Sequence, residues 1–227
     1  MRIPVFENEA CLVINKLCGE DCEKLPDIPA ACRLVHRLDT PASGCLLLAR
    51  NREAAAFLSE AFSRSDVSDA RDASCNKIEK RYWTIVEPPS AAVPDGGNVL
   101  SGQWQEAHHW IEFNRAKNKS VAYPREKPGA KEALLQYRLA GRSDRYLFIE
   151  IDLITGRHHQ IRAQLAAMGL HIKGDLKYGS RRSEKNGGIR LHARSLRFPN
   201  PAGRDQLILC EALPPLPDPL WQAFLSY

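Results

Sequence analysis

The chain has 227 residues, with 32 Lys and Arg against 27 Asp and Glu and a formal charge of +5. A chain of this length suits one α/β or α+β domain that buries about 70 to 75% of its unfolded surface. No stretch approaches the roughly 20 apolar residues of a membrane span, and MRIPVFENEA lacks an apolar signal segment, so a soluble cytoplasmic protein is expected.

In chain order, Ala10 to Asn15 predicts a short apolar strand, and a loop with Pro26 and Pro29 leads to Leu34-Val35. The cysteines at 11, 18, 22, 32, 45, 75 and 210 are odd in number and scattered, which argues against a disulfide framework. Cys11, Cys45 and Cys210 lie in strand-like runs where a thiol packs as a small hydrophobe. Cys18, Cys22, Cys32 and His36 offer zinc-type ligands, but no second close pair accompanies them and no metal is expected.

The segment HRLDTPASG, His36 to Gly44, sets Asp39 beside Arg37 at the mouth of the apolar run Cys45 to Ala49, and Gly44 permits a tight entry. A desolvated carboxylate needs a cationic neighbour or a polar task. Two readings stand at this point: an acid that closes a turn, with help from a hydroxyl such as that of Thr40, and an acid with a chemical role.

Asn51 can cap a helix whose apolar positions Ala54, Phe57, Leu58, Ala61 and Phe62 follow helical spacing. Ser63 to Asn76 is polar and rich in Ser and Asp, and reads as a surface loop. Lys80 to Val86 predicts a strand stopped by Pro88-Pro89, and further strands are expected at Ala133 to Leu139, Tyr146 to Ile154, Arg190 to Phe198 and Gln206 to Glu211. A second helix is expected from His159 to Met168, ended by Gly169. This strand-rich order with few helices predicts an α+β fold with a mixed, mostly antiparallel sheet and flanking helices, as one domain over 1–227.

LITGRHHQIR, Leu153 to Arg162, turns from strand to helix with several side-chain donors at the helix start, where His159 and Arg162 would share a face while Gln160 points elsewhere. From Arg157 to Arg204 lie eleven Lys and Arg against Asp175 and Glu184 alone, a local excess of nine that leaves the remainder net acidic by four. Such a division suits a face for a polyanion, or else ordinary solvated charge.

Together these segments resemble a family. HRLDTPASG resembles the HRLDxxTSG motif of the RluA-type pseudouridine synthases, ACLVINK followed by LCG resembles their opening VVNKPxG strand, and KRYWTIV their KxYxAxV strand. TGRHHQIRAQLAAMGLHIKGDLKYG is similar to TGRTHQIRVHLxxxGxPIxGDxxYG, and LHARSLRFPNP to LHAxxLxFxHP. The motifs occur in order from about Ala10 to Pro214.

The resemblance implies the pseudouridine synthase fold with a central RNA-binding cleft, action on uridines of structured ribosomal or transfer RNA, no metal and no organic cofactor, and a monomer. It implies Asp39 as the catalytic carboxylate, Arg162 as its ion-pair partner and Tyr82 as the platform beneath the uracil. Arg37 would fill the space left when the target base is extruded, at a cost of a few kcal/mol. His159, Gln160, Ile161, Lys173 and Arg194 would hold the RNA, and His36 would serve as a hydrogen-bonding support. No S4-like RNA-binding domain precedes Ala10, so target choice is expected to involve the catalytic domain, including the 63 to 76 loop and the Gly96 to Lys131 region, or a partner.

The chain departs from the family patterns at Leu17 for Pro, Ala42 for Thr and Gln164 for His, and Pro41 stiffens the Asp39 loop. These departures keep open a non-catalytic RNA-binding or RNA-chaperone protein on the same fold.

Overall fold

A computed structural model describes residues 3–65, 78–88, 102–203 and 206–227. They form two compact units, 1–81 with 192–215, and 82–191 with 216–227. Each is therefore assembled from two separate stretches of the chain, the N-terminus in the first and the C-terminus in the second.

In the first unit the order is β1 (Phe6–Glu7), β2 (Cys11–Lys16), β4 (Ser43–Ala49) and β11 (Leu191–Pro199), with β3 (Arg33–Leu34) on β4 and β12 (Leu207–Glu211) on β11. β2 and β4 pair antiparallel from Cys11↔Ala49 to Lys16↔Gly44, whereas β4 and β11 run parallel at His192↔Ser43 and Ala193↔Gly44. Every residue of β4 is buried, which accounts for its unbroken apolar run. Gly44 is required here: its φ is +117°, and a Cβ would lie 2.3 Å from the Ala193 carbonyl oxygen.

Helix α1 (Arg52–Ser65) covers this sheet. The Asn51 side chain accepts from the Ala54 N–H at 2.8 Å, and the helix buries Ala54, Leu58 and Ala61 against Val13, Leu47, Phe198 and Cys210. It continues to Ser65, so the start of the segment read as a surface loop is helical; 66–76 lies outside the described residues. Burial pushes the thiol of Cys11 up to about 11 and those of Cys45 and Cys210 up to about 12, as befits packed small hydrophobes. Cys11, Cys18, Cys22, Cys32, Cys45 and Cys210 are all free thiols.

The second unit has the order β5 (Glu79–Glu87), β9 (Leu147–Leu153), β8 (Lys131–Arg142), β6 (Gln105–Asn114) and β7 (Lys119–Tyr123), with β10 (His171–Ile172) on β5. β5 begins in the first unit and enters this one at Tyr82. β6, β7, β8 and β9 form antiparallel pairs. Helix α2 (Gln160–Ala167) packs through Ala163 on Ile111, Ala133 and Tyr178. It starts one residue later than its pattern suggests, because His159 takes a left-handed φ of 52° and caps it.

The sequence pattern did not signal the β6–β7 hairpin or helix α3 (Pro219–Phe224). Asp218 caps α3 by accepting from Leu220 and Trp221 N–H, and Trp221 and Phe224 close a cluster with Ile85 and Phe148. The whole is an α+β fold built on a mixed, mostly antiparallel sheet. Among the described residues no helix is long and apolar enough to cross a membrane.

Candidate functional site

Within the first unit the Asp39 loop is fastened at three points. Leu38 is buried and its carbonyl oxygen accepts from the Cys22 thiol at 3.3 Å, while Arg37 on one side is exposed and Asp39 on the other half-buried. The turn itself closes through the backbone, Ala42 N–H to Asp39 O at 3.0 Å. The Thr40 carbonyl oxygen accepts from Gly19 N–H at 2.8 Å and from the Lys16 ammonium at 3.1 Å. Lys16 is fully buried and also donates to the carbonyls of Leu17 and Glu20, both at 3.0 Å. Burial lowers its pKa, against the opposing charges of Cys22, Cys18, Glu20 and Asp39.

Beyond the turn, Ser43 Oγ lies 2.9 Å from His192 Nδ1, and His192 Nε2 lies 2.9 Å from the Ala212 carbonyl oxygen. The carbonyl can only accept, so Nε2 carries the proton and Nδ1 accepts from the Ser43 hydroxyl. Burial lowers the His192 pKa to about 4, keeping the ring neutral. His36 Nε2 accepts from Leu47 N–H at 2.9 Å, and its ring stacks on Phe62 at 4.6 Å. Its pKa falls to about 3 through burial and the nearby charge of Lys80, so it is a neutral support for β4.

The second unit holds Tyr82, His159, Gln160, Ile161, Arg162 and Lys173. Tyr82 is 8% exposed, on the face of β5 shared with Lys80 and Thr84. Arg162 grips Asp175 through Nε and Nη2 at 2.6 and 2.8 Å, a bidentate buried pair, and its guanidinium lies 4.8 Å from the Tyr178 ring centroid. His159 is the N-cap of α2 rather than a helical residue, and it and Arg162 both meet Tyr178, whose hydroxyl lies 3.0 Å from His159 Nδ1.

Gln160 and Ile161, expected to hold RNA, face inward at 3% and 4% exposure. Gln160 accepts from Thr155 Oγ1 at 2.8 Å and Arg157 N–H at 2.9 Å and donates to Leu134 O at 3.0 Å, which locks the Thr-Gly corner rather than reaching solvent. The basic interval is also largely engaged. Lys173 pairs with Glu184, Arg190 with Glu184 and Asp218, Arg194 with Glu211 and Arg197 with Glu79. Lys173, Arg190 and Arg194 are half-buried and require such counter-charges, whereas Lys177, Arg181, Arg182, Lys185 and Arg197 are exposed.

Sequence reasoning assigned no role to Lys16, Cys22, His192, Asp175 or Tyr178. Each lies in or beside a quoted motif, yet its importance depends on a partner that only the fold supplies. The departures at 42 and 164 are packing positions. Ala42 is 2% exposed, and Gln164, fully buried, donates through Nε2 to the carbonyl oxygen of Ala107 at 3.0 Å and lies 3.1 Å from His109 Nδ1. Among the described residues no group of three or more His, Cys, Asp or Glu is arranged to hold a metal ion.

Comparison with known proteins places these motifs. The sequence model described as RNA pseudouridylate synthase matches residues 11–167. RNA pseudouridine synthase 3, mitochondrial, of Oryza sativa is 32% identical over 78% of this chain and 41% of its own length. Ribosomal large subunit pseudouridine synthase C of Vibrio parahaemolyticus is 25% identical over 87% of this chain and 61% of its own, so the chain spans less than two thirds of these relatives. tRNA pseudouridine synthase C of Haemophilus ducreyi is 29% identical over 85% and 75%.

In fold, the chain is similar to human RNA pseudouridylate synthase domain containing 1, with a TM-score of 0.68 at 22% identity over 99% of this chain and 87% of that one. The ordered motifs, the family match and these relatives lead to one statement: the chain belongs to the RNA pseudouridylate synthase family, among its RluA-type members.

Proposed function

We propose that the chain is an RNA pseudouridine synthase, an isomerase that breaks the bond from ribose C1′ to uracil N1 and rejoins the same base through C5. Asp39 supplies the carboxylate that attacks or takes a proton near the reacting centre. Tyr82 lies beneath the base, and Arg162 keeps Asp39 ionised and oriented. Arg37, exposed two residues before Asp39, fills the space left by the extruded uridine.

One observation carries the reading: the family match over 11–167 includes Arg37, Asp39, Tyr82 and Arg162. The fastening of the Asp39 loop by Lys16, Gly19 and Cys22 supports it, since a carboxylate acting on one atom of a large substrate needs a fixed origin. Ribosomal or transfer RNA is the proposed substrate, by analogy with relatives named for each. The proposal calls for no cofactor and carries with it a monomer acting in the cytoplasm. Asp39→Asn should abolish pseudouridine formation on cellular RNA while RNA binding persists; undiminished turnover in that variant overturns the reading.

The departures at Ala42 and Gln164 motivate the alternative, a non-catalytic RNA-binding protein on this fold, although both are buried packing positions. Pseudouridine formed by the purified protein rejects it.

A further inference from the structure

We infer that the β6–β7 hairpin and the turn before α2 form a stacking platform for an unpaired base of the substrate RNA, with Phe113 as its outer rung. The inference rests on the synthase reading and adds to it a surface that bears on target choice. Ala107, His109 and Ile111 occupy the face of β6 that turns inward, with Ile111 packed against α2. Phe113 is next on that face but is 39% exposed. Its ring centroid lies 4.0 Å from that of His158, which lies 3.9 Å from that of His159. Three rings are thus in successive contact, tilted by 41° and 38°, from the cap of α2 to the exposed Phe113.

The platform is held rigid by the hairpin itself. Ser120 Oγ donates to the His158 carbonyl at 2.6 Å, Ser120 N–H donates to the Tyr178 hydroxyl at 2.8 Å, and the Lys177 ammonium donates to the Asn118 carbonyl at 3.1 Å. Preorganisation of this kind lowers the cost of binding.

The charge around it suits a polyanion. Arg115, Lys117 and Lys177 are exposed, Lys119 lies 5.0 Å from the Tyr178 ring centroid, and no acid occurs from Phe113 to Ser120. The nearest acid on the strand, Glu112, accepts hydrogen bonds from Lys127 and Tyr123. An aromatic end rung flanked by cations matches the base and phosphates of single-stranded nucleic acid. His158 stands where the TGRTHQIR pattern has Thr, and Phe113 lies outside every quoted motif.

The test uses the intact chain, a single-stranded oligouridylate for binding, and unmodified transcripts of transfer and ribosomal RNA for turnover. Phe113→Ala should weaken oligouridylate binding about tenfold, and Phe113→Trp should restore it. His158→Thr should weaken binding to a similar extent. An oligouridylate carrying 5-bromouridine should photocrosslink to the peptides that contain Phe113 and His158, a readout independent of any variant's folding. Unchanged binding by Phe113→Ala, or crosslinks confined to other peptides, overturns the platform even where the wild-type chain forms pseudouridine. Binding that depends on Phe113, with no pseudouridine from the wild-type chain, supports the platform and overturns the synthase reading instead.

Discussion

Arg162 and Asp175 form a forked pair whose side chains are 5% and 1% exposed, joining helix α2 to the residues just after β10. Removing one partner of a buried pair strands the other charge. Asp175→Ala should therefore cost about 3–5 kcal/mol of stability by urea titration. Arg162→Lys keeps the charge but loses the fork, and turnover should fall by at least about tenfold, with measurable destabilisation. Wild-type turnover in Arg162→Lys would show that the forked geometry is not needed.

Lys16 is fully buried and donates to three carbonyl groups around the Asp39 turn. Lys16→Met removes all three donors, and the stranded carbonyls should cost about 1–3 kcal/mol. Lys16 acts by positioning, so kcat should drop while KM for RNA changes little. A selective rise in KM would point to RNA contact instead.

Two histidines are held neutral by the fold, His36 at a pKa of about 3 and His192 at about 4, against an ordinary value of 6.5. Each binds fewer protons folded than unfolded between those limits, so stability is full above pH 6.5 and falls as the pH drops toward 4. The slope is on the order of 1.4 kcal/mol per pH unit for each group while both are engaged. His192→Gln should lower stability at pH 7 and flatten the slope between pH 6 and 4 in denaturant titrations at stepped pH. A slope equal to wild type would remove His192 from the account.

Gly44→Ala drives a Cβ to 2.3 Å from the Ala193 carbonyl oxygen at a φ of +117°. Backbone must move on one side of the parallel β4–β11 pair, and the loss should be at least about 2–3 kcal/mol, visible as a lower thermal midpoint. A neutral result would mean that the two strands separate cheaply.

The elements with unbroken apolar runs or clean helical spacing, β2, β4, β5, β8, β9, β11, β12, α1 and α2, are legible because their own residues carry the pattern. β6 is not, since QEAHHWIEFN places His109 between its buried Ala107 and Ile111 and disguises the alternation. α3 is too short to show a period and is signalled only by Asp218-Pro219. The site divides the same way. Asp39 stands out because a carboxylate at the mouth of an apolar strand calls for an explanation in any context. Lys16, His192 and Tyr178 acquire their roles from partners that only folding supplies, and in a linear reading each passes for an ordinary strand or turn residue. The basic interval is read incompletely for the opposite reason: charge density along the chain does not show that Glu79, Glu211 and Asp218, from outside it, meet its cations.

The parallel pairing of β4 with β11 has a consequence for biosynthesis. Residues 82–191 leave the ribosome before the segment that completes the first unit, so the nascent chain carries β4, with the Asp39 turn at its mouth, while the β11 side of that strand still lacks its partner. The Ser43–His192 bond cannot form until the ribosome has passed His192. Premature termination before that point would release a chain with α2 already synthesised and an apolar strand edge open to aggregation.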